Sequence, residues 1–132
     1  MKGRAMAYPQ PTPVQMIERL VSFDTVSAKS NLALIDFAAA YLKEHGIEAR
    51  IGRNPEKNKA FLLASVGPNR PGGVVLSGHT DVVPVEGQPW SNDPFRMVER
   101  DGRLYARGTS DMKGFIATAL ALVPDMIKRQ LT

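Results

Sequence analysis

The 132-residue chain carries 17 Lys and Arg against 13 Asp and Glu, a formal net charge of +4, and contains no cysteine. Disulfides and thiolate metal sites are thereby excluded, so a metal would have to sit on imidazole and carboxylate groups. The length suits one domain, and a hydrophobic fraction of 43% with 23% charged residues is ordinary for a soluble globular protein.

No apolar run reaches the roughly 20 residues needed to cross a bilayer. The N-terminus is basic but lacks the apolar core of a secretory signal, which gives the expectation of a cytoplasmic chain with no membrane partner. The basic residues are scattered from Lys2 to Arg129 rather than gathered in a block, so no nucleic-acid partner is expected.

Residues 1–13, with Pro9, Pro11 and Pro13, read as a flexible N-terminal arm. Residues 14–23 follow as a helix, because Val14, Ile17, Leu20 and Val21 recur at helical spacing and Pro13 suits a first helical position. The stretch Asp24-Thr25-Val26-Ser27 breaks it. Ser30 is the expected N-cap of a second helix, whose apolar stripe is Leu34, Ile35, Ala38, Tyr41 and Leu42. Lys43 and His45 occupy its last turn, and Gly46 stands where a left-handed residue ends a helix.

Residues 47–51 alternate apolar and polar, as a half-buried strand does, and residues 60–66 form a second strand after a polar loop. Val74-Val75-Leu76 is a short continuous apolar run, consistent with a strand buried on both faces. Residues 95–100 and 103–106 flank Asp101-Gly102, a pair that suits a two-residue type I′ turn with positive φ at both positions. That turn pairs Arg100 with Arg103 and Val98 with Tyr105. It sets Arg96, Arg100, Arg103, Tyr105 and Arg107 on one face. The chain is helical again from Met112, with Ile116, Leu120, Val123 and Ile127 sharing a face, and Pro124 predicts an end or kink near Val123.

The chemistry-bearing residues lie between 77 and 114. His79 and Asp81 are two apart in an extended segment, so both project to one side, roughly 7 Å apart at Cα. Asp81 is then placed to accept a hydrogen bond from one imidazole nitrogen, leaving the other nitrogen free for a metal. Asp111 stands at the mouth of the last helix, where a carboxylate is favoured by the helix dipole and is able to bridge two ions. Each residue alone also has a plain structural reading. A His-x-Asp is common, an Asp before a helix is often an N-cap, and His45 is a helix C-terminal residue. The arginine face is a solvated or covered surface, Trp90 and Phe95 are packing anchors, and Lys113 is either a surface residue or a partner for Asp111.

The combination is more specific. Ser77-Gly-His-Thr-Asp-Val-Val-Pro-Val, Gln88-Pro-Trp-Ser-Asn-Asp-Pro-Phe and Asp101-Gly-Arg-Leu-Tyr-Ala-Arg-Gly-Thr-Ser-Asp-Met-Lys-Gly-Phe together resemble the M20 metallopeptidase family. The resemblance runs from about Val14 and is most specific over 77–115. It implies an α/β fold, namely the N-terminal part of a three-layer α/β/α zinc-peptidase-like catalytic domain with a mixed sheet. Residues 14–132 would be an incomplete portion of that domain.

The resemblance further implies that His79 is a ligand to one zinc, Asp111 a carboxylate bridging two zinc (or cobalt) ions, and Asp81 the catalytic-site residue that orients His79. It places a cis peptide at Asp111–Met112. The implied activity is removal of the acetyl group from N-acetylornithine, in arginine biosynthesis, by a homodimeric enzyme with a small N-acyl amino acid substrate. The alternatives are removal of a succinyl group from succinyl-diaminopimelate, another aminoacylase or carboxypeptidase reaction of the family, or a non-catalytic truncated remnant. Family members also carry a Glu-Glu pair, a further acidic ligand, a last histidine ligand and a lid domain. This sequence has no Glu-Glu dipeptide, and its second histidine is His45, so the chain alone is expected to be inactive and to hold zinc weakly or not at all.

Overall fold

The computed structural model describes residues 10–131. Most of the expected arm, residues 1–9, lies outside the described residues. Residues 10–12 lead directly into helix α1 (Pro13–Val21). The Thr12 hydroxyl accepts from the Gln15 amide at 3.2 Å and the Gln15 side chain accepts from the Thr12 amide at 2.9 Å. This reciprocal cap satisfies two of the four free N–H groups of a helix start, and Pro13 has no N–H to satisfy.

Helix α2 (Leu32–Glu44) is capped at Asn31, one residue after the expected cap Ser30. Asn31 takes the cap position without a side-chain cap bond, because its amide is used elsewhere, on the backbone of Ala60 and the hydroxyl of Thr80. Gly46 ends the helix at φ +76°, the left-handed geometry its sequence position predicts. The apolar stripe faces inward as expected, with Leu34, Ile35, Ala38, Tyr41 and Leu42 all buried.

Strands β1 (Arg50–Arg53) and β2 (Ala60–Leu63) form an antiparallel hairpin in which Gly52 faces Phe61. The Phe61 ring lies over the Gly52 Cα, where any side chain at position 52 would overlap it. Strand β1 starts three residues later than the expected strand at 47–51 and runs on to Arg53, and β2 is shorter than the expected 60–66. Strands β3 (Val98–Arg100) and β4 (Arg103–Tyr105) pair in the predicted register around Asp101 and Gly102, whose φ values of +53° and +68° are those of the expected turn.

The chain ends in α3 (Lys113–Ala121) and α4 (Val123–Lys128), separated at Leu122. Pro124 sits in the first turn of α4, so its missing N–H falls where none is needed. Helices α1 and α3 pack against each other and bury Met16, Leu20, Ala117 and Leu120 against Tyr41 and Leu42 of α2. Full burial of one such aliphatic side chain stabilises by about 1.5–3 kcal/mol.

Two expectations about the sheet fail among the described residues. The run at 74–76 is not a buried strand: it joins neither sheet, and Val74 and Val75 are 87% and 83% exposed. A continuous apolar run makes a central strand only when other strands and both covering layers exist, and no described residue supplies them. The mixed sheet is likewise not formed among the described residues. In its place are two separate two-stranded antiparallel sheets and one isolated parallel bridge, Val26 to Val82. The described part is therefore an α/β arrangement with small antiparallel sheets. No helix among the described residues is long and apolar enough to cross a membrane.

Candidate metal centre

His79 lies on an extended, irregular segment rather than at the end of a strand. The segment is fixed from one side by residues 25–27. The Val82 amide donates to the Thr25 carbonyl at 3.0 Å and the Ser27 amide donates to the Val82 carbonyl at 3.0 Å. The Thr25 hydroxyl donates to the Thr80 carbonyl at 2.6 Å. On the other side Gly78 lies close to α3: a Cβ there would come within 2.9 Å of Ile116 and 3.0 Å of Met112.

Asp111 occupies the turn that enters α3. The turn bends at Gly108 (φ +96°) and crosses a cis peptide at Asp111–Met112. Asp111 is not the cap of α3. Met112 holds that position with no side-chain cap bond, and the Asp111 side chain, 85% exposed, turns instead toward His79.

The two groups meet. His79 Nε2 is 2.9 Å from Asp111 Oδ1. On the far side of the ring, Nδ1 is 2.9 Å from the Asp81 carbonyl oxygen and 3.2 Å from Asp81 Oδ1. Asp81 thus contacts the imidazole with its backbone first and its carboxylate second. The other carboxylate oxygen, Oδ2, accepts from the Ser27 hydroxyl at 2.7 Å.

These contacts set the electrostatics. The hydrogen bond to the Asp81 carbonyl, with the Asp111 carboxylate and the Asp81 charge, raises the His79 pKa. The Ser27 hydroxyl, followed by the charge on His79, lowers that of Asp81 against the opposing effect of burial.

The donor set fits a hard or borderline cation. Zinc bonds to imidazole nitrogen at about 2.0–2.1 Å and to carboxylate oxygen at about 2.0–2.2 Å, which sets two ligands of one tetrahedral ion about 3.4 Å apart. His79 Nε2 and Asp111 Oδ1, now 2.9 Å apart in a hydrogen bond, would have to part by about 0.5 Å to share such an ion. Among the described residues, however, no group of three or more His, Cys, Asp or Glu side chains gathers to hold an ion. Asp81 sits behind the imidazole, where it touches the ring and not the position an ion would take.

Lys113 follows neither sequence reading. It is fully buried, and its ammonium donates to the Phe23 carbonyl at 2.6 Å. Loss of solvent lowers its pKa to about 8, with the Asp24 charge opposing.

Of the arginine face, Arg100 stacks over Tyr105 at 4.9 Å and Arg107 over Trp90 at 5.1 Å. Gln88 Oε1 accepts from both Arg107 and the Trp90 ring nitrogen. Gln88, Trp90, Arg100 and Tyr105, together with Asn92 and Asp93, line an open cleft of about 310 Å³.

Ser27 and Thr25 were legible in the sequence only as a helix break. Their partners lie 54 and 55 residues away, so no local spacing announces them.

Residues 75–132 match the model of peptidase family M20/M25/M40. The chain is also 40% identical, over 129 residues covering 92% of it, to an acetylornithine deacetylase of Photorhabdus laumondii. Over residues 75–132 the chain is similar to the M20 family. A second acetylornithine deacetylase, from Proteus mirabilis, is 39% identical over 129 residues, and one from Yersinia pseudotuberculosis is 38% identical over 133. The chain resembles the N-terminal part of those proteins, and it spans about a third of their length (33–34%).

Proposed function

We propose that this chain carries one face of a two-zinc (or two-cobalt) centre of a cytoplasmic M20 amide hydrolase that removes the acetyl group from N-acetylornithine. The observation that carries the reading is the 2.9 Å approach of His79 Nε2 to Asp111 Oδ1 across 32 residues of sequence. The name shared by the relatives supports the substrate. In this reading His79 Nε2 and the Asp111 carboxylate are the groups of this chain that would hold the metal. Asp81 keeps Nδ1 protonated and the ring oriented, through its carbonyl and its carboxylate. Residues 14–132 form the first portion of a three-layer α/β/α domain, and the exposed 74–76 run becomes an inner strand of its mixed sheet. The homodimer belongs to the longer protein.

A bound zinc pair would polarise the amide carbonyl and lower the pKa of a water. This chain's own residues do less. They present one imidazole and one carboxylate close to ligand spacing, hold the imidazole in the tautomer that frees Nε2, and leave Asp111 open to solvent. The general base that takes the water proton and the remaining ligands do not map onto any residue of this sequence.

Two donors fall short of the three protein ligands usual at a catalytic zinc. The 132-residue chain is therefore expected to bind zinc weakly and to show no turnover of N-acetylornithine. Zinc titration followed by NMR of the His79 ring, beside a deacetylase assay, checks both. Turnover by this chain, or zinc binding that survives His79→Ala unchanged, overturns the reading.

A further inference from the structure

We propose that Ser27 is a positioning residue for the His79–Asp111 pair, acting through Asp81 as part of a strap, residues 23–27, that fixes the spacing of the two groups. The inference rests on the reading of His79 and Asp111 as metal ligands.

The loop that carries His79 and the turn that carries Asp111 are far apart in sequence. Among the described residues, the bond between His79 and Asp111 is the one hydrogen bond joining residues 77–83 to residues 108–114. That bond has to give way when both groups turn to an ion. What remains to hold the spacing, besides packing, is the strap. At one end the Phe23 carbonyl accepts from Lys113, two residues beyond Asp111, at 2.6 Å. At the other end Thr25 and Ser27 bind the backbone of Thr80 and Val82 on both sides of Asp81. The strap is itself anchored: Thr25 and Val26 are buried, and the Lys59 ammonium donates to the carbonyls of Ser27 and Lys29.

Ser27 adds something the backbone contacts do not. Its hydroxyl donates to Asp81 Oδ2 at 2.7 Å, which leaves Oδ1 facing the imidazole 3.2 Å away. A carboxylate is free to rotate about its last torsion unless one oxygen is held. Without the Ser27 hydroxyl the Asp81 carbonyl still contacts Nδ1, but the carboxylate is released to water and its share of the ring's orientation is lost. Because Ser27 is exposed, removing its hydroxyl opens no cavity.

The experiment uses the 132-residue chain with Ser27→Ala and Ser27→Thr, and zinc as the probe. Ring ¹⁵N shifts of His79 are recorded without metal and then during zinc titration, with thermal midpoints as the control. Ser27→Ala is expected to move the metal-free ring shifts toward those of free histidine. It should also weaken zinc binding about three- to tenfold, the low end of the loss seen for outer partners of metal ligands. Its thermal midpoint should stay within about 2 °C of the parent's, and Ser27→Thr should restore both ring readouts.

Unchanged ring shifts and affinity in Ser27→Ala overturn the inference, as does an equal loss in Ser27→Thr. Zinc binding that does not need His79 removes the metal reading beneath it, an outcome distinct from an inert Ser27. Where zinc does not bind, the metal-free ring shifts decide for or against Ser27.

Discussion

Burial of the Lys113 side chain works against this fold. Its ammonium has a single hydrogen-bond acceptor, the Phe23 carbonyl, and its pKa falls from the ordinary 10.5 to about 8. Between those two values the unfolded chain binds more protons than the folded one, so stability rises with pH across that window. Below pH 8 both states hold the proton and the dependence vanishes. The metal-free chain is therefore expected to melt at a higher temperature at pH 9.5 than at pH 7.5, and Lys113→Met should flatten that rise. Thermal melts of both proteins across the range decide it. In the sequence Lys113 had two readings, a surface residue or a partner of Asp111, and its observed partner is 90 residues upstream. Nothing in local spacing carries such information. His79 and Asp111, by contrast, were legible because a combination of short motifs surrounds them.

Among the elements, those governed by short-range chemistry follow the sequence. Asp101-Gly102 dictates its turn and, through the turn, the β3–β4 register. Gly46 ends α2, and Pro124 divides the last helices. Elements that need distant partners depart from it, and the 74–76 run is the clear case. The entrance to α3 mixes both kinds. Gly108 declares itself through positive φ, but Gly114 is an ordinary helical glycine in conformation. It is required because a Cβ there would overlap the Thr109 carbonyl oxygen, a contact that position in the sequence does not reveal. Gly114→Ala is expected to push the Asp111 turn away from α3 and to destabilise the fold by about 1–3 kcal/mol, the usual cost of overpacking. Urea unfolding measures the loss. A stability equal to the parent's would mean that the turn yields without cost.

The molecule as a whole leaves much apolar surface uncovered. Val74, Val75, Leu76, Leu63 and Phe61 are all exposed, which is unusual for a free monomer when such residues are contiguous. The purified chain is expected to bind a hydrophobic dye in its native state and to self-associate as concentration rises, while Val75→Lys should weaken the association. Dye fluorescence and sedimentation test this. A strictly monomeric, dye-silent chain counts against a fold that a longer polypeptide would cover.

Phe61 shows that not all of this surface is idle. It is 66% exposed, yet its ring rests on the bare Cα of Gly52 across the hairpin. Slide the two strands by one residue and the ring meets Ile51 or Arg53, each with a side chain in the way. The aromatic works as a pawl against a notched rail: glycine is the single notch into which it drops. A ladder of only four residue pairs, too short to choose its own alignment by hydrogen bonding, thereby has one alignment left to it.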